Sequence, residues 1–427
     1  MSLINAFLLE LSDASTIATK SDDTAVTVAN SFKSNVSHYQ MMKDIQHQWK
    51  NWSADVPAIF ITYNGIRFDE EVMRRQFYWN LYDPYFTNTN GNLRLDLFLK
   101  MFVIAHFYKK EFPIPLNDSQ ISLKLEDLAN ALTIDTSNAH DALADCVQML
   151  ELSKLIIKNA APVWKASIKG SSKNGNLELL QSQPFAMIGE VVRRKRFTYP
   201  VTFCGQNPKM NNEVAVADLY FDPDQLNELT DSELLEQIGN SGTAIRKVRI
   251  NKSLPVMSSD QIPNIDTFLD IPYDQLEERA RKIQENVKLQ TRVSELLASN
   301  QINYPPPKYL EQTVYSGFPS DADDLWMERF HSLPWEERSK LLDGFEDPRY
   351  KELAERLICS NSPELASPDM MSRYQNFLNQ RLYDKGPWLS LEKSLEKTKK
   401  LLSEATGEEK DILERLEKNM SQKNIFN

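Results

Sequence analysis

Ala58-Ile59-Phe60-Ile61-Thr62-Tyr63-Asn64-Gly65-Ile66-Arg67-Phe68-Asp69-Glu70-Glu71-Val72 reads as a strand, a tight turn and the first turn of a helix. Residues 58–63 are apolar, with β-branched and aromatic side chains, which suits a buried strand, and Asn64-Gly65 is a turn pair. Asp69, Glu70 and Glu71 place acids at the positive end of the helix dipole, and Val72, Phe77 and Trp79 carry the helix on. A carboxylate at such a helix start is held rigidly beside the sheet edge, as a metal ligand must be. On these residues alone Asp69 also reads as a simple N-cap.

Working outward, Met41, Met42, Ile45 and Trp49 predict an amphipathic helix over 38–52, and Pro57 ends the loop after it. Downstream come an apolar helix over 95–107, a loop over 113–118 and a helix opening at 123–128. Asn138-Ala139-His140-Asp141-Ala142-Leu143-Ala144-Asp145 follows. In one continuous helix His140 and Asp145 would stand roughly 500° apart. They converge only if His140 precedes the helix and Asp145 lies one turn inside it. Asn138 and Asp141 are both candidate N-caps, and Val147, Leu150, Leu155 and Ile156 form an apolar stripe at helical spacing. This arrangement suits a general base beside a metal-binding carboxylate, and it equally suits an ordinary helix start. Helix and strand alternate through the first 160 residues, which predicts an α/β fold.

After Lys158 the texture changes. Residues 165–175 read as a Lys/Ser/Gly linker, and 185–192, 199–203, 214–220 and 244–250 as short strands around an acidic helix at 229–238. That pattern predicts a small barrel with an inserted helix. Arg193-Arg194-Lys195-Arg196, followed by Phe197 and Tyr199, would either hold a phosphate backbone or form a solvated charged turn. From 265 the chain is helical, with charged amphipathic stretches at 275–298 and 388–420. The Glu/Lys pattern of the last stretch marks a solvated face or a partner surface. Residues 1–37 are rich in Ser, Thr, Ala and Asp, with an apolar burst at 3–11 and a β-like run at 24–28.

With 427 residues, 41% of them hydrophobic and 26% charged, the chain is expected to be a soluble protein of several domains. No apolar run approaches the roughly 20 residues that span a bilayer, and the first ten residues lack the flanks of a signal peptide. Cys146, Cys204 and Cys359 show no paired spacing, so reduced thiols in a cytoplasmic protein are expected rather than a zinc site or disulfides. A net charge of −11 argues against indiscriminate coating of nucleic acid and leaves room for a local basic groove.

Tyr63-Asn64-Gly65-Ile66-Arg67-Phe68-Asp69-Glu70-Glu71-Val72, Phe77-Tyr78-x-Asn80-x-Tyr82-Asp83-Pro84-Tyr85 and Asn138-Ala139-His140-Asp141-Ala142-x-Ala144-Asp145 together resemble bacterial exodeoxyribonuclease I. Ile250-Asn251-Lys252-x-x-Pro255-Val256 and Tyr315-x-Gly317-Phe318-x-Ser320-Asp321-Ala322-Asp323 continue the likeness, which covers roughly residues 37–383. The resemblance implies a DEDD-type exonuclease that digests single-stranded DNA from the 3′ end with two magnesium ions, in DNA repair and recombination. It implies a ribonuclease-H-like domain over 38–160, a Src-homology-like small barrel with an inserted helix over 161–262 and a helical domain over 263–427, forming a ring-like groove around one strand. By the same carry-over Asp69 and Asp145 are metal ligands and His140 is the general base. Arg74, Tyr85 and Lys124 would contact the strand, and Tyr315 and Phe318 would stack on bases; each of these aromatics equally suits core packing. A monomer is expected, with single-stranded DNA and a single-strand-binding protein as partners.

One departure accompanies the likeness. The family's opening Asp-x-Glu, two of its four metal-binding carboxylates, is expected farther upstream of Asp69 than this chain extends, and nothing in residues 1–37 reads Asp-x-Glu. Glu10 and Asp13 are the nearest substitutes, in the wrong order and spacing. An N-terminally incomplete exonuclease domain is therefore expected. Two carboxylates against two divalent cations leave roughly two positive charges unbalanced, so at most one magnesium should bind. The alternative function is a catalytically inactive, single-stranded-DNA-binding descendant.

Overall fold

The computed structural model describes residues 36–117, 120–135, 142–192, 195–239, 242–299 and 305–421. In chain order they form α1 (His38–Trp52), β1 (Ile59–Thr62), α2 (Asp69–Trp79), β2 (Leu93–Asp96), α3 (Leu97–Phe107), β3 (Leu116–Asn117), β4 (Gln120–Ile121), α4 (Leu125–Ala131) and α5 (Ala142–Asn159). Next come α6 (Ala161–Lys169), α7 (Lys173–Leu180), β5 (Ala186–Val192), β6 (Lys195–Gln206), β7 (Glu213–Asp218), α8 (Pro223–Glu228), α9 (Asp231–Glu236), β8 (Ile238–Gly239), β9 (Ile245–Arg249) and β10 (Val256–Ser258). The remainder is helical: α10 (Tyr273–Gln284), α11 (Val287–Ser299), α12 (Asp321–Ser332), α13 (Trp335–Arg338), α14 (Pro348–Asn361), α15 (Pro368–Tyr383), α16 (Leu391–Leu402) and α17 (Gly407–Ser421). The fold is α/β with a helical C-terminal region, and no described helix is long and apolar enough to cross a membrane.

Two compact units result. One comprises Val56–Glu71 and Tyr85–Pro305, and the other the described residues up to Asp55, Val72–Pro84 and those from Pro306 onward. The sheet-bearing unit is built around α3. Because α3 is apolar on nearly every side, it must be covered on nearly every side. It packs on β1 and on β5, β6 and β10. β1 and β2 pair in parallel, with Thr62 opposite Asp96. Buried Asn92 fixes the start of β1: its side-chain oxygen accepts from Ala58 N at 2.9 Å and its amide donates to Phe86 O at 2.9 Å. The second sheet runs β10-β5-β6-β7-β9-β8, antiparallel except for β8 against β9. Strand periodicity sends Val214 and Val216 of β7 into the core around α3, and Ala215 and Ala217 to the other face. There they meet Ile283 of α10 and Leu289, Val293 and Leu297 of α11, so these two helices belong to the sheet-bearing unit.

Three sequence expectations are corrected. Residues 165–175 are not a linker. α6 and α7 occupy them, with Val163 and Ala166 buried and Ser172 capping α7. A Cβ on Gly175 would lie 1.8 Å from Lys169 O, so the glycine marks close backbone packing rather than slack chain. The acidic helix at 229–238 is shorter than expected: α9 covers only Asp231–Glu236, and Ile238 already belongs to β8. The stripe of α5 splits: Ile156 is buried and Leu155 packs on the core, but Val147 and Leu150 are about half exposed, while Leu152 and Ser153 face inward.

In the helical unit, α14 and α15 supply Leu353, Leu357, Met370, Tyr374 and Leu378 to one core, which Tyr39 of α1 and Tyr78 and Leu81 also enter. A relay of hydrogen bonds ties α1 in. Arg338 Nη1 donates to Tyr39 Oη at 2.9 Å, Tyr39 Oη donates to His331 Nδ1 at 2.8 Å, and His331 Nε2 donates to Leu81 O at 3.0 Å. The ring of Tyr82 stacks on His331 at 4.0 Å.

Candidate functional site

In the sheet-bearing unit the turn that leads to Asp69 follows β1. Asn64 adopts the left-handed conformation, φ 60°, and Asp96 holds the turn that follows. The Asp96 carboxylate accepts from Asn64 N at 2.8 Å, Phe98 N at 3.1 Å and Ile66 N at 3.5 Å. Burial raises the pKa of Asp96, and the three amides work against that rise. Asp69 follows this turn. Although exposed as a residue, it turns its carboxylate inward, with Oδ2 2.8 Å from where a Cβ on Gly65 would stand, beside Thr62. That local desolvation raises its pKa above the ordinary carboxylate value. Its neighbour Glu70 forms a partly buried ion pair with Arg94 of β2.

Tyr63 links this turn to a second expected residue. Its hydroxyl donates to Leu123 O at 2.6 Å, which places exposed Lys124, at the N-cap of α4, beside the chain that leads to Asp69. Asp145 lies in the first turn of α5 and is half-buried. Tyr85 is half-buried at the start of the turn Phe86–Asn88. Among the described residues no group of three or more His, Cys, Asp or Glu side chains could hold a metal ion. His140, Asn138, Asp141, Glu10, Asp13, Arg193 and Arg194 lie outside the described residues.

The helical unit brings together three of the expected strand-contacting residues. Arg74 Nη1 donates to Tyr315 Oη at 3.0 Å, and its guanidinium carbon stands 5.8 Å from the centre of that ring. Tyr315 is 55% and Phe318 76% exposed, which excludes the core-packing reading for both. They flank Gly317, whose φ of +138° is left-handed backbone that favours glycine. The turn Leu310–Tyr315 is pinned from beneath. Tyr78 Oη lies 2.7 Å from Thr313 Oγ1, and Arg356 and Arg381 bind the carboxylate of buried Glu311 at 2.7 and 2.6 Å. Burial alone would raise the pKa of Glu311, but the two guanidiniums outweigh it and hold the carboxyl below its usual value. Sequence reasoning missed Asp96 and the Glu311 cluster. An acid just before an apolar helix is a readable N-cap signal for Asp96, whereas partners 45 and 70 residues from Glu311 leave no local signal.

Residues 308–423 match the family model described as Exonuclease I C-terminal domain. Exodeoxyribonuclease I of Haemophilus influenzae is 27% identical over 316 residues, covering 68% of this chain and 65% of that protein, so the match spans less than two thirds of the relative's length. Exonuclease I from Methylocaldum szegediense has a similar fold, with a TM-score of 0.75 at 24% identity, covering 90% of this chain and 84% of that one. E. coli exonuclease I, solved in complex with a dA16 oligonucleotide, superposes with a TM-score of 0.73 at 22% identity and the same coverage.

Proposed function

Because this chain is a relative of bacterial exodeoxyribonuclease I in its C-terminal domain, its sequence and its fold, we propose that it binds single-stranded DNA and digests it as a 3′-to-5′ exonuclease. The observation that carries this reading is the exposed pairing of Arg74 with Tyr315, next to Phe318. A guanidinium neutralises phosphate and an exposed ring stacks on a base, whatever the sequence. Lys124 and Tyr85 extend the same role in the sheet-bearing unit. The reading includes a monomer in the cytoplasm, acting in DNA repair and recombination alongside a single-strand-binding protein.

Phosphodiester hydrolysis of this type draws on magnesium, whose preferred ligands are carboxylate oxygens. Asp69 and Asp145 have the right chemistry, and His140 would serve as the base that takes a proton from water. Two carboxylates do not neutralise two divalent ions, and the described residues hold no cluster of three ligands. They do not fit a two-magnesium centre and support no hydrolytic step through one. The second reading is a non-catalytic single-strand-binding descendant. The deciding experiment follows nucleotide release from a 3′-labelled single-stranded oligonucleotide with magnesium, for the parent chain, Asp145→Ala and His140→Ala. Magnesium-dependent release that both variants lose establishes the exonuclease. Strand binding without release, in a folded parent chain, establishes the second reading.

A further inference from the structure

We infer that Arg349 is the positioning residue of the exposed aromatic turn, setting Tyr315 and Phe318 for a DNA strand without touching the strand itself; this rests on the stacking reading above. Arg349 Nη1 donates to Thr313 O at 2.9 Å and Nη2 to Gly317 O at 3.4 Å, so one planar guanidinium bridges both ends of the segment that carries Tyr315. A planar fork with several fixed donors suits this task, and an ammonium does not.

The guanidinium is itself held. Asp347 grips it at 2.8 Å from Nε and 2.7 Å from Nη2, and also caps α14 by accepting from Arg349 N at 2.8 Å. Asp347 is fixed in turn by Asp323, a 1% exposed carboxylate that accepts from Glu346 N at 2.8 Å and Asp347 N at 3.2 Å. Asp323 belongs to α12, whose N-cap Ser320 follows Phe318 by two residues. The segment between Thr313 and Ser320 is thus fixed at its start by Arg349 and at its end by the helix that orients Asp347. Gly317 supplies the left-handed bend that exposes Phe318 between them.

The test is a double-mutant cycle on the full chain, read by fluorescence anisotropy of a labelled oligo-dT without divalent metal, with thermal unfolding followed in parallel. Arg349→Met should weaken binding on the order of tenfold, about the worth of one stacked base. In a Tyr315→Ala/Phe318→Ala background the same change should cost less than about twofold, because the group it positions is gone. Arg349→Lys, which keeps the charge but cannot bridge both carbonyls, should behave like Arg349→Met. Equal losses in both backgrounds would overturn the inference and leave the stacking reading intact. Full recovery by lysine would overturn it in favour of direct attraction to phosphate. Unchanged binding in Tyr315→Ala/Phe318→Ala would remove the stacking reading and the inference with it.

Discussion

His331 shows how a single side chain couples the helical unit to pH. Burial lowers its pKa to about 3, and the hydrogen bond to Leu81 O opposes that fall only in part. The ring is neutral in the folded protein and takes up a proton near pH 6.5 in the unfolded chain. Its contribution to stability is therefore complete above about pH 6.5 and is lost as the pH falls toward 3, to a limit on the order of 5 kcal/mol. His331→Phe removes two hydrogen bonds and should cost about 1–3 kcal/mol at pH 7. Urea unfolding at intervals between pH 7 and pH 4 should show a shallower acid decline for the variant than for the parent chain. Equal slopes would place the acid sensitivity elsewhere.

Among the elements, α3 carries an anomaly. Lys100 sits fully inside the core on a helix otherwise apolar all round, with its ammonium bonded to Leu254 O. Burial lowers its pKa to about 7, against the attraction of Asp96. The unfolded chain keeps that proton up to about pH 10.5, so the cost of burying Lys100 is full below pH 7 and vanishes as the pH rises to 10.5. A shift of this size corresponds to about 5 kcal/mol, which exceeds the roughly 1–3 kcal/mol of leaving Leu254 O unpaired. Lys100→Met should then be more stable than the parent at pH 7, with an advantage that shrinks toward pH 10 in thermal melts. A pH-independent difference would show that the ammonium is not desolvated as the helix places it. Sequence periodicity foretold α3 because an apolar run of that length has one reading, whereas β1 and the turn before Asp69 were legible from a short β-branched and aromatic run ending in Asn64-Gly65. It failed at α6 and α7, where Lys, Ser and Gly suggested a loop. There the burial of Val163, Ala166 and Gly175 depends on neighbours distant in sequence. It also failed on α5, because Val147 and Leu150 are apolar yet about half exposed, and hydropathy alone does not say which face of a helix meets the core.

For the molecule as a whole, charge frames how a strand could be held. A net charge of −11 repels a polyanion at long range, so any affinity must come from local cations. Arg74 and Lys124 are two such groups, one in each unit. The run Arg193-Arg194-Lys195-Arg196 offers up to four more in sequence. The sequence left two readings of that run open, phosphate holder or solvated turn. Counterion release separates them. Each neutralised phosphate on a single strand contributes roughly −0.7 to the slope of log K against log salt. Arg74 and Lys124 alone predict a slope near −1.4, and engagement of the whole run steepens it to roughly −4. Replacing Arg193, Arg194, Lys195 and Arg196 with serine, and titrating oligo-dT binding with potassium chloride, should then flatten the slope by nearly 3 if the run grips phosphate. An unchanged slope would make it a solvated turn. The strand would then be held by few charges and mainly by stacking, as the exposure of Tyr315 and Phe318 favours.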